Sequence, residues 1–342
     1  MQISNQRPGI YSSYSVTSHY AAARSVMSAA LVIKLPGFAQ GLHTFDSPAE
    51  AAEALGSYRT AQNALRILFD SGVSRVYLAA VNSDSDLDYL AAIGHIAELP
   101  GVGAVICDAQ DEDDLLDLVD SVEASSQAMR ERLLFVGIDT AAHAAAAASA
   151  LNHERGIVCT PAAYIPGDDV PSALYTACAF AGSILAQPNP GHNFSAYALG
   201  PLSRVERLPE ADVQSLIAKG VCVFEQIAGN VECIRAVTTR TEPDLSMRPL
   251  NSILIIDDVM RSLRTGLHSF LRGARTGLYT HESISAQAAI ILSQKRDEGI
   301  LTSFEPPSAR TSSEDPSVCI VQITFGVAHI VEQIHLSAHI RV

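Results

Sequence analysis

ALRILFDSGVSRVYLAAV, residues 64–81, reads as the end of a helix, a glycine turn and a strand. The helix is expected over about 59–71 and the strand over 74–81. Working outward, the same alternation repeats. Upstream, SVMSAALVIK (25–34) reads as a strand. Between the two strands, SPAEAAEALG carries its own helix signals: Ser47 as N-cap, Pro48 at N1, Glu50 at N3 and Gly56 as the stop. Downstream, DLDYLAAIGHIAEL (86–99) reads as a helix and VGAVIC (102–107) as a strand. An acidic amphipathic helix over 111–131, the strand LLFVGID (133–139), an Ala-rich helix, the strand GIVCTP and a helix over 169–187 follow. Alternating β and α with short connections predicts an α/β domain, a mostly parallel sheet with helices on both faces.

QPNPGHN (187–193) breaks the composition and marks the expected domain boundary. Beyond it, ADVQSLIAKG predicts a helix ending on Gly220. VCVFEQI and NVECIRAVTT then predict two antiparallel strands that turn at 228–230. Two helices are expected over about 250–274 and 281–298, then the strand ILTSFE, a Pro- and Ser-rich loop (306–317) and the strand VCIVQITFGV. A reversal near 326–329 leads to a last strand. This half is α+β. The expected organisation is an arm over 1–22, an α/β domain over 23–190, an α+β domain over 191–328 and a strand arm over 329–342.

Composition narrows the function. The chain has 342 residues, 48% hydrophobic and 18% charged, which suits a folded protein. Its net charge is −14, from 23 basic and 37 acidic residues, which disfavours general nucleic-acid binding. MQISNQRPGIYSSYS carries no secretory signal pattern, and no apolar stretch is long enough to cross a bilayer. The six cysteines form no C-x-x-C pair and mostly lie in apolar runs, so reduced, buried thiols are expected in a protein made in a cytoplasm.

Catalytic and cofactor motifs are not found. Gly101-Val-Gly103 opens a strand instead of following one, which is wrong for a phosphate cradle. His335 and His339 share a strand face but would lie about 13 Å apart at about 3.3 Å per residue, too far for one metal ion. Eight carboxylates lie between Asp108 and Glu123, most of them in the first turns of a helix whose dipole favours them. A solvated helix face explains them better than a catalytic pair. No catalytic, cofactor-binding or metal-binding residue is assigned.

The helix LNSILIIDDVMRSLRTGLHSFLRGAR (250–275) carries two stripes. Ile256, Val259, Met260, Leu263, Leu267, Phe270 and Leu271 fall in one arc and predict the core side. Arg261, Arg264, His268, Arg272 and Arg275 fall in another, a concentration of positive charge unusual in so acidic a chain. Asp257 and Asp258 can pair locally with Arg261. An ordinary solvated face and a docking stripe for an acidic partner both fit. The two ends add a second interaction signal. QIHLSAHIRV (333–342) alternates cleanly, with Ile334, Leu336, Ala338, Ile340 and Val342 on one face. The N-terminal arm offers Ile10, Tyr11, Tyr14 and Val16. The ends could pair within their own chain, or add strands to sheets of neighbouring copies.

Taken in order, these segments resemble the contractile tail sheath family of phage tails, R-type bacteriocins and related injection systems. RPGIY (7–11), DSPAEAAEALG (46–56), the opening stretch, LPEADVQSLIAKGVCVFEQIAGNVECIRAVTTRT (208–241) and LNSILIIDDVMRSLRTGLHSFL (250–271) carry the resemblance. SAYALGPLSRVE (195–206) departs from it, since the family often has a Trp there, and the chain is short for the family. The resemblance implies a structural subunit, with no enzyme activity and no cofactor. It would polymerise into stacked rings around an inner tail tube and contract when a baseplate triggers it. Implied partners are other copies of itself, the tube protein, and baseplate and tail-terminator proteins. Direct nucleic-acid contact and membrane insertion are not implied. Made in a bacterial cytoplasm, the subunit would belong to an assembled particle. The arms would link neighbouring subunits, the 23–190 domain would lie outside and the 191–328 domain would face the tube. Arg261, Arg264, His268, Arg272 and Arg275 are the candidate tube contact. Two other readings stay open: an enzyme or small-molecule binder with a site at the C-terminal edge of the first sheet, and a tail scaffold other than the sheath.

Overall fold

The computed structural model describes residues 27–83, 86–271 and 278–329. β1 (Ser28–Lys34) is followed by β2 (Gly41–Phe45), α1 (Pro48–Leu55), α2 (Arg59–Asp70) and β3 (Val76–Val81). Ser47 caps α1 as expected, its side chain accepting from the Glu50 N–H, with Pro48 where no donor is needed. The turn from α2 to β3 passes through Gly72 at φ 103°, a conformation that side chains rarely adopt. Next come α3 (Asp86–Ala97), β4 (Val102–Cys107), α4 (Glu112–Gln127), β5 (Leu133–Gly137), α5 (Ala141–Leu151) and β6 (Gly156–Thr160). A hairpin, β7 (Ala163–Ile165) and β8 (Asp168–Ser172), leads into α6 (Ala173–Ala186). α6 is apolar all round and correspondingly buried.

The second half contains β9 (Tyr197–Ala198), β10 (Arg204–Val205), α7 (Glu210–Ala218), β11 (Val221–Ile227) and β12 (Asn230–Cys233). Then follow α8 (Leu250–Leu267) with a 3-10 turn over His268–Leu271, α9 (Leu278–Asp297), β13 (Leu301–Phe304), β14 (Ser308–Thr311), β15 (Cys319–Gln322) and β16 (Phe325–Val327).

One nine-stranded sheet runs in the order β2-β3-β1-β4-β5-β6-β11-β12-β9. Its centre, β3 through β11, is parallel, and antiparallel strands close both edges. The sheet is therefore mixed, parallel where helices cover both faces. The composition break at 187–193 does not divide it. Val221, Cys222 and Val223 pair with Val158, Cys159 and Thr160, so the expected 23–190 unit shares its sheet with β11 and β12. The reason is covalent order: β6 is not an edge strand, and its outer neighbour comes from beyond the break.

Two apolar layers flank the sheet. On one side Leu65, Leu68, Phe180 and Leu254 bring α2, α6 and the start of α8 onto the strands. Phe180 is the hub, with edge-on rings of Phe135, Phe194 and Phe224 at 6.2, 6.3 and 5.2 Å. On the other side Ile93, Leu118, Ala148 and Leu216 bring in α3, α4, α5 and α7. A third cluster, with Ile255, Val259, Leu263, Ala288 and Leu292, joins α8 to α9 and to Leu301.

β2 and β14 were not expected from the sequence. β14 lies inside the stretch read as a loop, where it pairs with β15. Of the reversal expected near 326–329, Gly326 and Val327 lie in β16, and the strand it would lead to lies outside the described residues. Gly326 sits within β16, opposite Ser303, where a Cβ would come 2.6 Å from Thr302 Oγ1. Glycine at 326 allows the close approach of β13. The candidate arm residues Ile10, Tyr11, Tyr14, Val16, Ile334, Leu336, Ala338, Ile340 and Val342 lie outside the described residues.

Candidate interaction surface

α8 carries Arg261 and Arg264 of the candidate stripe together with Asp257 and Asp258, and it lies between two cores. Leu250, Ile253 and Leu254 belong to the sheet's layer, while Ile255, Val259 and Leu263 belong to the α8–α9 cluster. The buried line therefore differs from the expected apolar arc. Val259 and Leu263 are buried, but Met260 is 39% exposed and Leu271 is 80% exposed. The helix is rotated because its buried side also contains two carboxylates.

Those carboxylates take partners from other elements. Arg155, just before β6, donates from Nη1 and Nη2 to the two oxygens of Asp257, each at 3.0 Å. Its Nε donates to Glu123 of α4 at 3.1 Å. Burial lifts the Asp257 carboxyl above its ordinary range, against the pull of Arg155. Burial also opposes the Arg155 charge, but the hydrogen bond and charge of Asp257 outweigh it and the guanidinium ends above its ordinary value. Asp258 meets Lys295 of α9 at 2.7 Å. One carboxylate thus ties α8 to the sheet, and the next ties it to α9.

Of the candidate stripe, Arg264 is paired with Glu131 at 2.5 Å, just before β5. Arg261 Nη1 donates to the sulfur of Met27 at 3.3 Å. His268 is exposed. Arg272 and Arg275 lie outside the described residues. The structure brings Arg261 and Arg264 to one seam between α8 and the lower end of the sheet. Arg155, Glu131 and Lys295 were missed from the sequence. A charged residue opening an apolar strand, as Arg155 does before GIVCT, is the one available sign.

Beside α8 and α9 lie two two-stranded ribbons, β13 with β16 and β14 with β15. Among the described residues each strand pairs on one side only. Two-stranded ribbons are marginal alone, and open edges invite a further strand.

The upper edge of the sheet was the alternative location for a site. Connections from β1 and β4 run to opposite sides, which makes a crevice at their C-terminal ends. Asp108 occupies it. One carboxylate oxygen accepts from the Lys34 N–H at 2.9 Å and the other from the Tyr89 hydroxyl at 2.9 Å. All six cysteines are free, and burial pushes the thiols of Cys107, Cys159, Cys178 and Cys233 up, away from reactivity.

Solved structures share this architecture from end to end. A chain of the contracted helical sheath of the anti-feeding prophage has a TM-score of 0.72 at 16% identity, covering 98% of this chain and 99% of its own. A chain of the six-fold symmetrised baseplate of the same particle gives 0.72 and 16%, covering 99% and 100%. The sheath tail protein of Listeria innocua gives 0.68 at 9%, covering 89% and 96%. The chain has the tail sheath fold. No family model and no curated protein matches the sequence. At these identities the likeness is one of backbone architecture, and the side chains of the sheath fold here are this chain's own. The likeness spans nearly the full length of both chains. The sheath fold therefore accounts for the sheet, the α8–α9 unit and the ribbons together.

Proposed function

We propose that this chain is a contractile sheath subunit, a structural protein without catalytic activity that polymerises into rings stacked around an inner tube. The observation that carries the reading is end-to-end agreement with a contracted sheath chain, combined with ribbon edges beside α8 and α9 that have no further strand among the described residues. In this reading segments 1–22 and 329–342 add strands to ribbons of neighbouring copies. The 23–190 region lies outward, and the region around α8 faces the tube. Baseplate and tail-terminator proteins bind the ends of the stack. The chain is made in a bacterial cytoplasm and works within a particle; no described helix is long and apolar enough to cross a membrane.

The candidate tube contact narrows. Arg264 already has Glu131, so His268, Arg272 and Arg275 are the cations proposed to meet an acidic tube. Purified protein at high concentration is expected to form hollow tubes or rings under negative stain. A chain that stays monomeric at every concentration would count against the sheath reading.

A further inference from the structure

The seam between α8 and the lower end of the sheet shares out its charges unevenly. Arg155 holds two carboxylates, Asp257 and Glu123. Arg264 holds one, Glu131. Arg261 holds none among the described residues. Its Nη1 donates instead to the sulfur of Met27 at 3.3 Å, and a thioether is a weak acceptor. Yet Arg261, Glu131, Asp257 and Met27 line one cavity of about 20 Å³. That is room for about one water, so the side chains around it are not locked by packing. Their charges already act on one another. Burial lifts the Asp257 carboxyl, Arg155 and Arg261 pull it down, and Glu131 pushes it up. Arg261 and Arg264 stand three residues apart on α8, which puts their Cβ atoms about 5–6 Å from each other. A long guanidinium side chain covers that distance by changing rotamer. The two ends of the Arg264–Glu131 pair differ: Arg264 is 31% exposed and Glu131 only 7%.

We infer that Glu131 is an exchangeable counter-ion. In one state it holds Arg264 against the body; in the other Arg261 takes it over, and Arg264 turns outward to an acidic partner surface. Arg261 is the positioning residue of this exchange. Moving Glu131 from one guanidinium to the other conserves the number of ion pairs and breaks only the bond to sulfur. The buried carboxylate is never left alone, which would be the costly outcome. The inference rests on the reading that the region around α8 faces an acidic tube. It adds that one cation of the stripe stays masked until that surface arrives. A partner that binds the released state shifts the balance by its differential affinity alone.

The test uses the full-length protein at low ionic strength, with fluorescently labelled poly-glutamate as the acidic probe, read by anisotropy. Wild type, Glu131→Gln, Arg261→Gln and the double variant are compared, and thermal melts follow the fold. Glu131→Gln frees Arg264 and should bind at least about threefold tighter than wild type, the size of one exposed ion pair. Arg261→Gln removes the takeover and should bind more weakly than wild type. In the Glu131→Gln background the same change should have no effect, because Arg264 is already free. A direct contact of Arg261 with the probe would instead weaken both backgrounds equally. Equal weakening, or a Glu131→Gln variant that binds no better than wild type, overturns the exchange. Should Glu131→Gln fail to fold, phenylglyoxal labelling of wild type decides, read by peptide mass. Poly-glutamate is expected to protect Arg264; labelling of Arg264 that poly-glutamate leaves unchanged overturns the exchange. Pelleting of wild type against concentration tests the sheath reading separately. A wild type that never assembles overturns that reading, whatever the binding data show, and one that assembles without the exchange leaves it intact.

Discussion

Arg155 and Asp257 place two charges where most chains keep hydrocarbon. Their side chains are 10% and 7% exposed, so each depends on the other. Buried ion pairs add little net stability, yet breaking one by removing a partner is costly. Arg155→Met is therefore expected to cost about 3–5 kcal/mol in urea unfolding, because Asp257 would be left buried without its partner. The double variant Arg155→Met with Asp257→Leu should recover most of that loss, since an apolar pair of similar volume pays no desolvation. If the single variant melts like wild type, the pair does not hold α8 in place. The sequence marks Arg155 only as a charge at the start of an apolar strand and does not indicate its partner. Asp257 and Asp258 looked suited to Arg261 at helical spacing, but they pair with Arg155 and Lys295. What won was a guanidinium from a distant strand with two parallel donors to offer, a contact that no spacing rule contains.

At the scale of elements, the helix-turn-strand unit at 64–81, the α/β alternation and the hairpin at 228–230 were all legible. They rest on local signals: periodicity, capping residues and glycine at positive φ. β2 and β14 were not legible because they are short and partly exposed, and pairing across the sheet defines them more than composition does. The rotation of α8 was hidden for a similar reason, since an apolar count gives buried carboxylates the wrong sign. Packing between elements also depends on glycines whose role is invisible in the sequence. A Cβ on Gly137 would lie 2.3 Å from the Ala173 backbone, so α6 could not sit against β5. Gly137→Ala should lower stability by about 1–3 kcal/mol or more, as overpacking against backbone does. Gly94 on α3 is the opposite case, with nothing within 4 Å of its Cβ position. Gly94→Ala should raise stability by about 0.5–1 kcal/mol through helix propensity alone. Thermal melts of the two variants should therefore move in opposite directions.

For the whole molecule, the sequence pointed to a sheath subunit, and the shared fold now supports that reading across nearly the entire chain. The candidate contact residues were only partly legible. Charge and helical phase singled out the stripe, but Arg264 is taken up inside the molecule by Glu131. A charge reversal at Arg264 would therefore disturb the fold as well as any docking. Arg272→Glu with Arg275→Glu is the cleaner variant. It should keep the wild-type melt and self-assembly while losing assembly on an acidic tube, as read by co-sedimentation; unchanged co-sedimentation would exclude those residues as the contact. The pairing of β6 with β11 has a consequence of a different kind. On the ribosome, β6 emerges long before Val221 does, so the growing chain carries a parallel sheet with one edge unfilled. Non-local strand pairs form slowly, and an unfilled edge is open to wrong partners while it waits. Copies of the chain must therefore be kept apart until the sheet has closed, and the hairpin formed by β11 and β12 is the piece that closes it.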